Sequence, residues 1–454
     1  MSRINKMISP FILILLFMVA FLKNGWAQNP IVQTCYTTDP APMVYKDTVF
    51  VYTGHDENSA KYFEMKDWKV FSSTDMVNWT NRGTPLSVST FSWAKENAWA
   101  GQCIERNGKF YWYVPVTGKV TGNFAIGVAV SDYASGPFKD ALGKPLVAPG
   151  FGYIDPTVFI DNDGQAYLYW GNPGLWYVKL NKDMLSYSGD VQTVPLTTEA
   201  FGKRYNDPKR ATQYEEGPWF YHRNNLYYML YAAGGVPEHI AYSTSNNPVG
   251  PWTYRDTIMT IQGKSFTNHC GVIDFKGSSY FFYHNGALPG GGGFARSVCV
   301  EPFTYNSDGS FPRINMTAGV KSAVINLNPY QRTEAETIAW EEGVETAEDK
   351  QTGVYVTEIN NKDYIKLRDI DFGKGAKSFE ARIASGGNGG KIELHLDSLN
   401  GKLVGICNVQ NTGGWLNWTT AKCKVRDAKG KHDLYLVFSG GEGELFNFDW
   451  WRFH

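Results

Sequence analysis

The stretch QYEEGPWFYHRNNLYYMLYAA, from Gln213 to Ala233, contains the pattern that decides the fold. Two adjacent carboxylates, Glu215 and Glu216, precede a Gly-Pro pair and an aromatic run. A polar turn then leads into the apolar run Leu226–Ala233. This order predicts a strand, a tight turn and a second strand, with acidic side chains where the first strand begins.

The turn-and-strand half of this pattern occurs five times along the chain. Each copy joins a polar turn, rich in the Asp, Asn and Gly that tight hairpins need, to an alternating aromatic strand. The copies are YKDTVFVYTGHD (45–56), ERNGKFYWYVPV (105–116), DNDGQAYLYWGN (161–172), HRNNLYYMLYAA (222–233) and FKGSSYFFYHNG (275–286). Their spacing of roughly 50 to 60 residues is typical of a propeller blade. We therefore expect a five-bladed β-propeller over residues 28–325. An ordinary β-sandwich would require the even spacing to arise by chance.

The C-terminal part of the chain has a different pattern. From about residue 333 short alternating runs continue, but the repeat is absent. Runs of this kind are typical of a sandwich of two antiparallel sheets. The prediction is an all-β protein in which a linker at residues 326–332 leads to a β-sandwich (jelly-roll) domain at residues 333–454.

The N-terminus has the composition of a secretory signal. Basic residues precede the apolar run Ile8–Leu22, and small residues place a cleavage site after Ala27. The run is shorter than a membrane span and is interrupted by Pro10. We expect residues 1–27 to be a signal peptide, the mature chain to have no membrane span, and its location to be periplasmic or extracellular.

Charge and cysteine content restrict the partners further. The formal net charge is −1, which argues against nucleic acid or an anionic membrane as the main partner. The six cysteines show no CxxC metal spacing. Neighbouring strand-like runs carry Cys407 and Cys423 and allow a local disulfide, and we expect the other four cysteines to be buried thiols.

Three carboxylates stand out because each precedes a Pro or Gly-Pro beside a strand start: Asp39, Asp155 and Glu216. An Asp before Pro, taken alone, is more often a turn or cap residue. In a propeller, however, the innermost strands line the axis, so these three acids would converge at one end of the central channel. Converging carboxylates suit glycoside hydrolysis, in which a protonated carboxyl donates to the leaving oxygen and an ionised one activates water. A third carboxylate nearby raises the pKa of the donor.

Four segments resemble glycoside hydrolase family 43: TTDPAPMVY, IDPTVFIDNDGQAYLYWG, EGPWFYHRNNLYYMLYA and NHCGVIDFKGSSYFFYHNG. The resemblance covers about residues 30–325 and implies a five-bladed, inverting enzyme that acts on arabinose- and xylose-containing polysaccharides. By that resemblance Asp39 is the general base, Asp155 the pKa modulator that orients the donor, and Glu216 the general acid. Glu215 is then expected on the opposite face of the strand.

The same resemblance implies further site residues. His269 matches a histidine on the propeller axis near a bound ion, often calcium, although a satisfied core histidine is an equally good reading of the sequence alone. Arg296 matches an arginine near the pKa modulator. The candidate sugar contacts are His55, Trp99 and Trp170, for which core packing is the commoner role.

The C-terminal segments TEAET (333–337), DYIKLRDIDFGKGAKSFEARIAS (363–385), GGWLNWTTAKCKV (413–425) and FNFDWWRF (446–453) resemble carbohydrate-binding module family 6. By that resemblance a structural calcium ion, which prefers hard oxygen donors, is held where the first and last strands meet. Its ligands are Glu334, Glu336 and Asp449; solvated surface acids are the alternative. The residues expected to bind sugar are Tyr355, Trp415 and Asn447.

The function expected from these observations is an exported, inverting glycoside hydrolase without an organic cofactor. It would release α-L-arabinofuranosyl or β-D-xylosyl units from arabinoxylan or xylo-oligosaccharides, and its partners would be plant cell-wall polysaccharides, including xylan and arabinan fragments. The sequence does not decide between arabinose and xylose. Two alternatives remain open: an endo-arabinanase or exo-galactanase on the same propeller, and a non-catalytic glycan-binding protein.

Overall fold

The computed structural model describes residues 28–454, so the predicted signal peptide lies outside the described residues. Five antiparallel sheets follow one another along the chain between residues 37 and 303. The first comprises β1 (Thr37–Tyr45), β2 (Thr48–His55), β3 (Asp67–Ser73), β4 (Trp79–Asn81) and β5 (Leu86–Ser87). The second comprises β6 (Ala94–Glu96), β7 (Gln102–Arg106), β8 (Lys109–Gly118), β9 (Phe124–Ser131) and β10 (Lys139–Asp140).

The next three sheets each have three or four strands. The third comprises β11 (Thr157–Ile160), β12 (Ala166–Trp170), β13 (Trp176–Leu180) and β14 (Tyr187–Thr193). The fourth comprises β15 (Tyr214–Arg223), β16 (Leu226–Ala233), β17 (His239–Ser245) and β18 (Thr253–Met259). The fifth comprises β19 (Gly271–Phe275), β20 (Ser278–Asn285) and β21 (Ser297–Phe303). The helices in the described chain are a 3-10 turn at Val88–Thr90 and α1 (Thr198–Phe201), and none of them has the length and apolar content that a membrane crossing requires.

The five sequence repeats correspond to five hairpins, one in each sheet: β1–β2, β7–β8, β11–β12, β15–β16 and β19–β20. In the fourth sheet the two turn residues, Asn224 and Asn225, have φ angles of 49° and 66°. Positive φ at both positions defines the type I′ turn, whose twist matches that of the flanking strands. The turn chemistry in the sequence therefore fixes the hairpin register.

Each of these sheets packs against the next along the chain, and the fifth packs against the first. The ring of Trp112 in the second sheet meets Tyr52 in the first, with centroids 4.8 Å apart. Val49 of the first sheet and Phe282 of the fifth belong to one buried cluster. Most rings of the repeats are therefore core residues, which is the ordinary use of aromatic side chains. The closed order of contacts also brings the starts of β1, β15 and β19 together.

Two further sheets follow, and they share one hydrophobic core. One comprises β22 (Thr333–Glu334), β25 (Glu345–Asp349), β26 (Gly353–Thr357), β28 (Ala376–Ala384), β31 (Thr419–Ala428) and β33 (Asn447–Phe453). The other comprises β24 (Trp340–Glu342), β27 (Tyr364–Asp371), β29 (Gly390–Leu396), β30 (Lys402–Val409) and β32 (Lys431–Ser439). The remaining strand, β23 (Thr337–Ile338), pairs with β4 of the first sheet.

The contact between the N-terminal and C-terminal sheets is extensive and polar. Besides the pairing of β23 with β4, the Asn78 side chain donates to the carbonyl of Arg368 and accepts from its N–H. The Arg368 guanidinium, which is buried, donates to Gln28 and to the carbonyl of Val320. The two parts of the chain are thus held in a fixed relation.

All six cysteines are free thiols. Cys103, Cys270 and Cys299 are buried, as expected, whereas Cys35 is half-buried. Cys407 and Cys423 are free thiols, so the local disulfide allowed by the sequence is not formed in this structure.

Candidate active site

Asp39 lies where β1 begins, at a register shift that interrupts the pairing with β2 between Thr38 and Ala41. Its φ of 50° turns the backbone so that the buried carboxyl faces the fifth sheet. There the Nδ1 atom of His284 accepts the Asp39 N–H at 3.2 Å, and the Nε2 atom lies 2.9 Å from the carbonyl oxygen of Thr267. His284 therefore supports the backbone that carries Asp39.

Arg296 is the principal positive charge beside Asp39. Its Nη1 lies 3.4 Å from Asp39 Oδ1, while Nε and Nη2 form a two-point ion pair with Asp56 at 2.9 and 2.8 Å. Arg296 and Asp56 are both buried, and the ring of Phe63 lies 5.1 Å from the guanidinium carbon. The sequence analysis placed Arg296 near Asp155; its direct ionic contacts are Asp39 and Asp56, and its charge also acts on Asp155.

The pKa of Asp39 is held well below its usual range. Burial opposes ionisation, but the charge of Arg296 and the neighbouring His284 ring outweigh it. Asp39 is consequently ionised throughout the ordinary pH range.

Asp155 precedes β11 and is linked to the strand that carries Glu216. Its buried Oδ2 accepts the N–H of Gly217 at 3.0 Å. Burial, and then the charges of Glu216 and Asp39, raise the pKa of Asp155 well above its usual range. Burial also raises the pKa of Glu216 to about 7, although a 2.5 Å hydrogen bond from Asn172 opposes the shift. The site thus combines one ionised carboxylate with a pair that retains protons.

The backbone explains why these acids meet. Asp39 and Asp155 adopt φ of 50° and 57°, and Gly217 adopts 60°, each immediately before a proline. The counterpart of the two aspartates in the fourth sheet is therefore Gly217, and Glu216 stands one residue earlier. The sequence analysis treated the three acids alike and did not predict that Glu216 lies one residue before the left-handed position. A residue in this left-handed region is strained unless it is Gly, Asn or Asp, so the sequence choice is local and physical.

Glu215 points away from the other carboxylates, as the alternation of β15 predicts. Its side chain pairs with Arg204 at 2.5 Å and with Arg210. Arg210 also donates to the side-chain oxygen of Asn172 at 3.2 Å, and Asn172 in turn contacts Glu216. Glu215 therefore anchors the surroundings of Glu216 without facing Asp39.

His269 lies between the two halves of the site. Its Nδ1 is 4.0 Å from Asp39 Oδ1, and a Cβ added at Gly217 would meet its ring at 3.0 Å. Burial lowers the pKa of His269 to about 4, so the ring is neutral at pH 7. A neutral imidazole is a suitable cation ligand. Within residues 28–454, however, the one group of three ligand atoms within 4.8 Å of each other is His55, Glu57 and Asp67, which does not include His269.

The candidate sugar contacts differ from one another. Trp170 is completely buried beside Tyr153, so the prediction that it contacts sugar is wrong. Trp99 is half-buried, and its Nε1 donates to the carbonyl of Phe63 at 3.1 Å. His55 is half-buried and its Nδ1 lies 2.9 Å from Asp67. Both side chains are therefore partly accessible to solvent.

Sequence reasoning missed three residues that support the site: Asp56, Asn172 and His284. Asp56 and Asn172 lie just after the aromatic strand of a repeat, and His284 lies one residue before the end of such a strand, in each case at the end nearest the site. That shared position is a signal in the sequence that could have identified them.

The predicted sugar-binding residues of the C-terminal sheets differ in exposure and in contacts. Asn447 donates to the Trp415 carbonyl at 2.7 Å and accepts from Thr357, so it positions the loop that carries the exposed Trp415 ring. Tyr355 is buried and meets the ring of Trp418, a residue that the sequence analysis did not select.

The predicted calcium ligands lie where β22 pairs with β33. Glu336 Oε2 is buried without a hydrogen-bond partner, and burial raises the pKa of this carboxyl well above its usual range. Glu334 pairs with Arg332, and Asp449 pairs with Arg382. An orphaned carboxylate oxygen beside two further acids fits a hard cation, although two of the three acids already have a cationic partner.

Buried, oppositely shifted carboxylates at the junction of several sheets define the class of a glycoside hydrolase. The sequence matches the family model "Glycosyl hydrolases family 43" over residues 27–311, and the chain belongs to that family. Residues 334–454 match "Carbohydrate binding module (family 6)". This supports the two resemblances seen in the sequence.

Similar proteins span almost the whole chain. An arabinoxylan arabinofuranohydrolase of Bacillus subtilis is 34% identical over 94% of this chain and 92% of its own, and one of Paenibacillus polymyxa is 35% identical over 94% and 74%. The crystal structure of a family 43 arabinoxylan arabinofuranohydrolase from Bacillus subtilis, in complex with cellotetraose, superimposes with a TM-score of 0.81 at 34% identity, over 94% of this chain and 97% of that one.

Proposed function

We propose that this protein is an inverting hydrolase that removes α-L-arabinofuranosyl or β-D-xylosyl units from arabinoxylan or its oligosaccharides. The observation that carries the proposal is the opposite behaviour of two carboxyls in one site. The pKa of Asp39 is held well below its usual range, whereas that of Glu216 is raised to about 7. An inverting glycosidase needs this combination of base and acid.

In the proposed reaction, water attacks the anomeric carbon on the face opposite the leaving group. Asp39 takes a proton from that water as its oxygen forms the new bond to carbon. The bond between the anomeric carbon and the glycosidic oxygen breaks, and Glu216 gives its proton to that oxygen. The released sugar has the inverted configuration, and proton exchange with solvent restores both carboxyls.

The remaining residues would keep these two groups in their protonation states. Arg296 stabilises the ionised Asp39 and is itself fixed by Asp56. Asp155 fixes the backbone after Glu216 through the N–H of Gly217. Half-buried Trp99 and His55 are the candidate sugar contacts that remain available.

We further propose that the five N-terminal sheets are the blades of a five-bladed propeller over residues 28–325, joined by residues 326–332 to a β-sandwich at 333–454. The closed order of sheet contacts and the shared core of the last two sheets support this division. The sandwich would hold polysaccharide at Trp415 and raise the local substrate concentration. Glu334, Glu336 and Asp449 would hold calcium, which would neutralise the buried acids there.

Export is also a proposal. It is supported by the basic and apolar residues before Ala27 in the sequence. Detection of the mature N-terminus after Ala27 in a secreted fraction would establish it, and retention of the intact N-terminus in the cytoplasm would oppose it.

The proposed function is tested with paired aryl α-L-arabinofuranosides and aryl β-D-xylosides, followed by sugar analysis on arabinoxylan. We expect turnover of at least one aryl glycoside and release of the matching pentose from the polymer. Proton NMR should show the inverted anomer first. A first-formed retained anomer, or activity confined to arabinan or galactan, would contradict the proposal.

A further inference from the structure

A cavity of about 1200 Å³ lies between the two parts of the molecule, and none of the residues assigned above lines it. One wall comes from the N-terminal sheets, with Tyr36, Asn58 and Pro289. The other comes from the sheet that contains β24, β27 and β32. Ligand cavities are frequently built at such domain junctions.

The C-terminal wall is an ordered face of a sheet. Trp340 pairs with Lys366, which pairs with Tyr435, and in the next rung Glu342 pairs with Tyr364. Residues opposite one another and two apart along a strand share a face, so these side chains line one surface. The intervening Ile365 and Leu436 belong to the core. The outward face therefore carries three aromatic rings.

The walls are held in place before any ligand binds. Thr80 and Thr337 hydrogen-bond through their hydroxyls at 2.9 Å, and Ile338, two residues before Trp340, pairs with Trp79. On the other wall the Tyr36 hydroxyl donates to the carbonyl of Pro289 at 2.7 Å. A preformed cavity avoids much of the ordering cost of binding.

The N-terminal wall is continuous with the candidate active site. Tyr36 is three residues before Asp39, and Asn58 is two residues after Asp56. An extended chain spans at most about 3.6 Å per residue, so these wall residues lie within about 11 Å of the site residues along the backbone. The Thr37 N–H also donates to the Arg296 carbonyl at 3.0 Å.

The charges of the cavity restrict its ligand. Glu341, Glu342 and Glu345 line it, and its one cationic lining residue, Lys366, pairs with Asp433 at 3.0 Å. An anionic polymer would be repelled. Aromatic rings bordered by carboxylate acceptors suit a neutral chain that has both apolar faces and hydroxyl groups.

We propose that this cleft, which we call the junction cleft (Tyr36, Asn58 and Pro289 facing Trp340, Tyr364 and Tyr435), binds a stretch of the β-1,4-xylosyl backbone of the polymer whose cleaved unit occupies the active site. The inference rests on the proposed function. It assigns polymer recognition to both domains together, in addition to the sugar site expected around Trp415.

The test compares kinetics on soluble arabinoxylan with kinetics on the aryl glycoside. Trp340→Ala should raise KM for arabinoxylan about 10-fold, because one stacking contact is lost, with kcat and the aryl glycoside constants unchanged. Glu342→Ala changes an exposed position and should raise the KM for arabinoxylan a few-fold. This variant tests the cleft even if Trp340→Ala does not fold. Trp415→Ala is the matched control, and its effect should multiply with that of Trp340→Ala if the two sites are separate.

Calorimetric titration of the full chain carrying Glu216→Gln with linear xylotetraose reads the cleft without hydrolysis. Adding Trp340→Ala should remove one binding event. If the wild type hydrolyses no pentoside but this binding event is seen and lost, the proposed function fails and the cleft stands as a glycan site. If the wild type is active, and both Trp340→Ala and Glu342→Ala keep the wild-type KM for arabinoxylan and all binding events, the junction cleft proposal is overturned.

Discussion

At the scale of single residues, two carboxyl groups of the site have different pKa values because their surroundings differ. Asp39 is buried and Glu216 is half-buried, and of the two only Asp39 has a guanidinium beside it. A buried carboxyl without a cation keeps its proton, whereas a buried carboxyl paired with arginine loses it. The division of roles between base and acid therefore depends on where Arg296 lies.

This arrangement predicts an asymmetric pH profile of kcat/KM. Activity should fall as pH rises through about 7, because Glu216 then loses the proton that it must donate. The acid limb should lie well below the ordinary pKa of an aspartate, because Asp39 stays ionised there. Initial rates on an aryl glycoside between pH 3 and 9 would measure both limbs. An alkaline limb far above pH 7 would assign the proton to another group.

The charge of Glu215 contributes to the raised pKa of Glu216. Glu215→Gln removes that charge and leaves Arg204 and Arg210 unneutralised, so the alkaline limb should move to lower pH. Glu380→Gln is the matched control, since Glu380 also pairs with cationic side chains but lies in the C-terminal sheets. An alkaline limb unmoved by Glu215→Gln, or moved equally by both changes, would rule out this electrostatic account.

At the scale of elements, the left-handed residues at the starts of three strands place the acids. Gly217→Ala should cost roughly 1 kcal/mol of stability through its positive φ. The new methyl would also press on the His269 ring, so kcat/KM should fall between about 10- and 100-fold. Gly108→Ala is the control, because Gly108 has φ 77° and no atom within 4 Å of the added Cβ. Equal activity in the two variants would contradict the role given to Gly217.

The same elements show which parts of the fold and of the site could be predicted from the sequence alone. The five hairpins could be predicted because local turn chemistry and strand alternation both determine them. Asp39, Asp155 and Glu216 could be selected because each stands before a Pro or Gly-Pro at a strand start. Asp56, Asn172 and His284 were missed, since their roles depend on which sheets become neighbours. Trp170 was misassigned because the sequence pattern of a repeat does not distinguish an aromatic side chain that faces the core from one that faces the cavity.

At the scale of the whole molecule, the polar contact between the N-terminal and C-terminal sheets should couple the thermal unfolding of the two parts. Asn78→Ala removes both hydrogen bonds to the backbone of Arg368 and leaves buried polar groups unpaired, which should cost about 1–3 kcal/mol. Scanning calorimetry should show a lower transition temperature and a wider separation between the transitions of the two parts. Asn162→Ala, at an exposed side chain, is the control. Identical thermograms for both variants would show that this contact does not couple the unfolding of the two parts.

The central claim is that Glu216 gives the proton and Asp39 takes it. The most direct measurement is the activity of Glu216→Gln on two substrates, a natural arabinoxylan oligosaccharide and an aryl glycoside with an activated phenol that leaves without a proton. The account predicts a loss of about 10²- to 10⁴-fold on the oligosaccharide and a much smaller loss on the activated glycoside, whereas Asp39→Asn loses both. Equal losses of Glu216→Gln on the two substrates, or full activity on the oligosaccharide, would contradict it.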